Sequence, residues 1–128
     1  MEKDFDGWNA KKIILNDRQK IPFFHEREIW FCYMGINIGS ETDGSGKKFL
    51  RPMVIIKKTH KTAFIAIPLT RTPRCGRTYF QMKDDPGNSF AMLSQVRAID
   101  ARRLFYRSRV VADNIFKELQ QSFVGLFE

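Results

Sequence analysis

From residue 28 to residue 99 the sequence is a succession of short apolar segments rich in aromatic and β-branched residues, with no helix-length amphipathic run among them. That pattern excludes the strand–helix alternation of a doubly wound sheet and predicts a small, curled antiparallel sheet or barrel. Glu28 to Ile36 (EIWFCYMGI) is apolar on both faces, as a central strand must be. Pro52 to Lys57 (PMVIIK) and Ala63 to Pro68 (AFIAIP) are two more strands, joined by a polar turn from Lys58 to Thr62. Arg77 to Lys83 (RTYFQMK) alternates like a strand with one wetter face, and Ala91 to Ile99 (AMLSQVRAI) reads as a further strand. Glycine-rich or proline-bearing stretches separate them, the longest being Gly39 to Lys48 (GSETDGSGKK).

Helices are expected only at the two ends. In residues 5–18, Trp8, Lys12 and Leu15, with Phe5 and Ile13 flanking, recur at helical spacing behind a cap at Asp4 or Asp6. Pro22 follows in an extended connection that brings Phe23 and Phe24 to the core. Asp100 to Leu104 (DARRL) reads as one helical turn. Asp113 is the expected cap of a final helix whose Ile115, Phe116, Leu119, Phe123 and Leu126 form a core-facing stripe. The chain of 128 residues is sized for one core. Its division is an N-terminal helical extension over residues 1–26 that packs on a barrel over residues 27–128.

Charge is distributed unevenly. Residues 1–28 balance six bases against six acids, whereas residues 44–83 hold ten bases and no acid. A folded module with such a tract is suited to an anionic partner, and nucleic acid is the commonest, because each phosphate contact releases counterions. The longest apolar run, Ile29 to Met34, is far too short to span a bilayer. The early acids of MEKDFDGWNAKK do not read as a signal peptide, so the expected location is the cytoplasm. Cys32 and Cys75 fit neither a zinc site nor a disulfide framework: Cys32 reads as a small buried hydrophobe and Cys75 as a loop residue. His25 and His60 have no Cys or carboxylate at ligand spacing, and no metal or other cofactor is expected.

No phosphate-cradling loop is present, since the GSG at residues 44–46 precedes two lysines but does not open a helix. What remains is a set of polar residues at strand ends: Ser40 and Glu41, Arg51, Thr70, and Ser94, Gln95 and Arg97. If the two strands between Arg51 and Thr70 pair antiparallel, as their short turn demands, both residues fall at the same end of the sheet. Taken singly, Arg51 reads as a strand-edge arginine packed on Tyr33 or Phe49, and Thr70 as a strand-terminal cap.

The elements GSE (39–41), RP (51–52), PLT (68–70) and QVRAID (95–100), in this order and on these strands, resemble the PemK/MazF-like toxins of type II toxin–antitoxin modules over about residues 27–128. The longer loop before Arg51 and the helix before His25 resemble a longer-loop subgroup. The resemblance implies an SH3-like small barrel, mainly β, antiparallel, with a C-terminal helix and similar in fold to a gyrase poison. It implies a sequence-selective, metal-independent endoribonuclease that cuts single-stranded RNA, leaving 2′,3′-cyclic phosphate and 5′-hydroxyl ends. Arg51 and Thr70 are then the catalytic pair, and Glu41 and Gln95 contact RNA or support the site; Glu41 is also the candidate general base, because it is the only acid near the basic tract apart from Asp43. Ser40, Ser94, Gln95 and Arg97 are candidate RNA contacts. Lys47, Lys48 and Arg71 belong to the basic tract expected to hold phosphates, with bases on aromatics such as Tyr79 or Phe80. The implied partners are RNA, an acidic antitoxin that occludes the groove, and a second copy of the chain. The other reading is a non-catalytic nucleic-acid binder or gyrase-poison-like protein on the same barrel.

Overall fold

A computed structural model describes residues 3–45 and 49–128. Helix α1 (Phe5–Asn16) precedes seven strands: β1 (Glu28–Tyr33), β2 (Leu50–His60), β3 (Ala63–Thr70), β4 (Tyr79–Met82), β5 (Ser89–Met92), β6 (Arg97–Asp100) and β7 (Leu104–Val110). Helix α2 (Asp113–Gly125) follows β7. All pairings are antiparallel, in the order β4-β5-β3-β2-β1-β7, with β6 also on β3. Among the described residues the two ends of this order do not pair, so the sheet curls like a small barrel without closing.

The alternation of the central strands separates two main cores. Trp30 and Cys32 of β1, Met53 and Ile55 of β2, and Phe64 and Ala66 of β3 share one core with Phe24 and Leu104. Their neighbours of opposite parity, Ile29, Val54, Ile67 and Leu69, form the second, which α2 covers with Ile115, Phe116 and Leu119. Phe123 and Leu126 pack against its margin, so the expected stripe on the last helix is the observed one. Phe23, in contrast, is 92% exposed; the extended connection turns only Phe24 inward. Both cysteines are free, Cys75 exposed and Cys32 buried, and burial pushes the Cys32 thiol well up.

One strand is added to the expected set and two local readings are corrected. Residues 104–110 form a full strand on the free edge of β1, where Phe31 stacks on Tyr106 at 4.8 Å and Arg107 reaches Glu28 at 3.1 Å. Residues 91–99 are two strands broken by a tight turn, Leu93–Gln95. Asp113 lies inside the last helix, paired with Lys117, and Ala112 is the cap residue. The Ala112 N–H is instead satisfied from afar by Asp84 at 2.9 Å, which also takes Arg109 at 3.0 Å. Burial opposes ionisation of Asp84, but these two donors outweigh it and hold its carboxyl below the ordinary aspartate range.

At the other end, Asp4 caps α1 by accepting the Gly7 N–H at 2.9 Å. Trp8 and Leu15 are buried against Tyr33, with Phe49 and Leu50 at the margin, whereas Lys12 is exposed. Gly35, at φ +69°, leaves the space the indole fills: a Cβ there would stand 1.8 Å from a Trp8 ring carbon. Arg102 ties the end of the helix down by donating to the Asn16 carbonyl at 2.9 Å. Gly35→Ala is therefore expected to destabilise the protein by about 3 kcal/mol, near the cost of Trp8→Ala, in urea unfolding. Wild-type stability in Gly35→Ala would contradict this docking.

Candidate active site

The site is built where β2 begins. Arg51 precedes Pro52 and pairs across to Cys32 of β1. The β2–β3 register sets Met53 against Pro68, and carried outward it sets Arg51 against Thr70. The two residues thus stand at one end of the sheet, as the short connection between their strands requires. The Arg51 guanidinium donates from Nη1 to the carbonyl of Leu69, next to Thr70, at 3.3 Å. From Nε it donates to the carbonyl of Asp43 at 2.9 Å. Its Nη2 has no partner among the described residues. Burial lowers the Arg51 pKa, and the Asp43 carboxylate offsets part of that effect. A charge so placed is poorly hydrated and strongly attractive to an anion.

The loop between β1 and β2 is held to this site by polar contacts. Asp43 accepts the Asn37 N–H at 2.6 Å on one carboxylate oxygen and pairs with Lys3 at 3.0 Å on the other. Asn37 returns a bond from its side-chain amide to the Thr42 carbonyl at 2.7 Å, and the Gly44 N–H meets the Gly35 carbonyl at 2.6 Å. Gln95, from the turn after β5, accepts both the N–H and the hydroxyl of Thr42, at 3.2 and 3.1 Å. Arg51 and Gln95 therefore meet around residues 42–43, although they come from separate segments, and Arg51 also reaches Leu69, the neighbour of Thr70.

Other expected site residues are placed elsewhere on this surface. Glu41 is exposed and accepts the Ile38 N–H at 2.9 Å; the carboxylate whose field reaches Arg51 is Asp43. Ser40 and Ser94 are exposed, and Arg97 is half-buried in β6 opposite Ala66. Thr70 is 8% exposed and its hydroxyl accepts the Thr72 N–H at 3.2 Å, which leaves the hydroxyl proton to donate. It lines a small cleft of about 60 Å³ with Arg71, Asp85 and Arg109, and Arg71 pairs there with Asp85 at 3.6 Å. Lys47 and Lys48 lie outside the described residues. Phe80 packs against the second core, so it is not a free stacking surface, and Tyr79 is half-buried. Among the described residues no group of three or more His, Cys, Asp or Glu is arranged to hold a metal ion.

Two contributors were not singled out from the sequence. Lys3 and Thr42 act through pairings 40 and 53 positions away in the chain, and no local pattern announces them. Asp43 had a visible signal, since it and Glu41 are the last acids before the basic tract. Asp43→Ala removes the acceptor for Asn37 and the partner of Lys3. The expected result is a stability loss of about 2 kcal/mol with faster hydrogen exchange at the Asn37 and Gly44 amides. Unchanged exchange at both amides would show that the loop is held without it.

Among the described residues no helix is long and apolar enough to cross a membrane. No curated protein matches the chain by sequence. Among solved structures, an endoribonuclease from Mycobacterial species is similar at a TM-score of 0.64 and 13% identity, over 85% of this chain and 95% of that one. The Mycobacterium tuberculosis toxin MazF-mt6 gives 0.59 and 16% identity, over 79% and 96%. The MazE–MazF structure from Deinococcus radiodurans gives 0.59 and 13%, over 85% and 97%. These likenesses establish the shared fold. The profile of the family described as PemK-like, MazF-like toxin of type II toxin–antitoxin system matches residues 25–127, and the chain belongs to that family.

Proposed function

We propose that this protein is the endoribonuclease of a type II toxin–antitoxin pair and that it cuts single-stranded RNA without a metal ion. The observation that carries the reading is the desolvated Arg51 guanidinium, fixed on the Asp43 and Leu69 carbonyls beside Thr70. Fixed donors in a poorly hydrated site stabilise charge that develops in a transition state, at about 3–4 kcal/mol for one donor in acyl transfer. Family membership and the endoribonuclease among similar folds support the same reading.

In the proposed reaction the 2′-oxygen of the RNA attacks the adjacent phosphorus, and the bond from phosphorus to the 5′-oxygen breaks. The products are a 2′,3′-cyclic phosphate and a 5′-hydroxyl. Arg51 Nη2 stabilises the added negative charge on the non-bridging oxygens, and the Thr70 hydroxyl donates to one of them. The guanidinium is too weak an acid–base group to take the 2′-proton. Glu41, an exposed carboxylate two residues from Asp43, receives it, and the leaving oxygen is protonated from solvent. Gln95 acts by holding Thr42, while Ser40, Ser94, Arg97, Arg71, Lys47 and Lys48 contact the RNA. Cleavage is sequence-selective. The partners are an acidic antitoxin that covers the groove and a second copy of the chain, and the setting is the cytoplasm. Residues 1–26 act as an extension docked on the toxin domain of residues 27–128.

The experiment is incubation of wild-type, Arg51→Ala and Glu41→Gln proteins with a long unstructured RNA in excess chelator, followed by mapping of fragment ends. Discrete cyclic-phosphate ends are expected from wild type, with rates at least 100-fold lower for Arg51→Ala. Equal cutting by Arg51→Ala would remove the assigned site, and an unchanged rate for Glu41→Gln would remove that residue as the base. RNA bound but never shortened by the wild type would favour the non-catalytic reading.

A further inference from the structure

Helix α1 and the turn after β6 enclose a cleft that the proposed chemistry does not use. It measures about 460 Å³, and Trp8, Asn9, Lys12, Asp100, Arg102 and Arg103 line it. Such a volume falls within the roughly 300–1,000 Å³ of sites that take a small-molecule-sized group. A second cleft of about 360 Å³ shares Trp8, Asn9 and Lys12 and ends at Ile38 and Glu41. Together they make one groove along α1. Its far end is the stretch of residues 36–41, in the same loop as Thr42 and Asp43, which bond Gln95 and Arg51.

The groove carries both signs of charge, Lys12, Arg102 and Arg103 against Asp17, Asp100 and Glu41. Arg103 lies over the Trp8 ring, 5.5 Å from its centroid, and donates to the Tyr33 carbonyl at 3.1 Å. Burial and the like charge of Arg97 both lower the Arg103 pKa, against a smaller opposing effect from Asp100, so an anion beside Arg103 is attracted. Asp100 does not present a free carboxylate to such an anion, because Arg102 holds both its oxygens at 2.9–3.0 Å. Asn9 and Lys12 are exposed on the helix and have no side-chain partner among the described residues. Lys12 offers a cation for a phosphate, and the Asn9 amide offers a donor and an acceptor for the edge of an unpaired base.

We infer that the groove along α1 holds the RNA strand beyond the cut site, with Lys12 and Arg103 on its phosphates and Asn9 facing a base. The inference rests on the endoribonuclease reading and assigns the N-terminal helix to substrate binding.

The test is fluorescence anisotropy of a labelled, unstructured RNA of about 12 nucleotides with the full-length Arg51→Ala protein, which keeps the strand intact. Adding Lys12→Glu is expected to raise Kd about tenfold and to lower the salt slope of binding by about 0.7, the share of one single-strand phosphate contact. Lys12→Arg is expected to retain the parent Kd. So is Lys11→Glu, the same charge change on the neighbouring residue, whose ammonium rests 4.3 Å over the Tyr33 ring. Equal Kd for Lys12→Glu and its parent would overturn the inference, as would equal losses for the two charge reversals, which would signal net charge alone. Lys12-dependent binding of a polyglutamate peptide with Lys12-independent binding of RNA would assign the groove to a protein partner and overturn it too. Fragment mapping of the wild type separates this inference from the reading beneath it. No cleavage with Lys12-dependent RNA binding removes the nuclease and keeps the groove; cleavage with Lys12-independent binding does the reverse.

Discussion

Strand β1 is apolar on both faces and paired on both edges, and the rest of the fold is arranged to keep it from water. Trp30 and Cys32 require one core, Ile29 a second and Tyr33 a third, so cover is needed on each. Burying side chains of this size is worth about 1.5–3 kcal/mol each, a large share of the stability available to a chain this short. Helix α2 supplies the cover over Ile29, and α1 supplies it over Tyr33 through Trp8. The two helices therefore have distinct structural duties on one sheet.

The candidate site follows from the same strand. Because Arg51 pairs with Cys32, its guanidinium leaves the sheet where β1 gives way to the loop of residues 34–45. There the charge is partly desolvated and bonded mainly to carbonyl oxygens, not paired one-to-one with a carboxylate. A guanidinium tied up bidentately by an acid would already be neutralised. This one is oriented by neutral acceptors and keeps its field for an anion. Asp43 has the opposite arrangement, with its carboxylate bonded to Lys3 and an amide N–H, so it positions the loop.

Most of the sheet was legible because the central strands are buried on both sides and carry continuous apolar runs. RP and PLT were legible because they fall at the ends of β2 and β3, whereas GSE lies in the loop after β1 and QVRAID runs from a turn through β6. β7 was not, since LFYRSRV is largely exposed after Leu104 and pairs through Tyr106, Arg107 and Arg109 with Phe31, Glu28 and Asp84. Such an edge is stabilised by pairs far apart in the chain and leaves no alternation to read. Ala112 caps the last helix in place of Asp113 for a similar reason: its N–H is met by Asp84, 28 positions earlier. Within the site, strand register placed Arg51 against Thr70, whereas the different bonding of Glu41 and Asp43 depends on side-chain directions inside a loop, which composition does not encode.

The central claim is that Arg51 and Thr70 together grip the scissile phosphate. It is tested most directly by a crystal structure with an RNA carrying a 2′-deoxy sugar at the cut position, which cannot be cleaved. The account predicts that phosphate within hydrogen-bond distance of both the Arg51 guanidinium and the Thr70 hydroxyl. A strand bound with its uncleavable phosphate elsewhere on the sheet would contradict it.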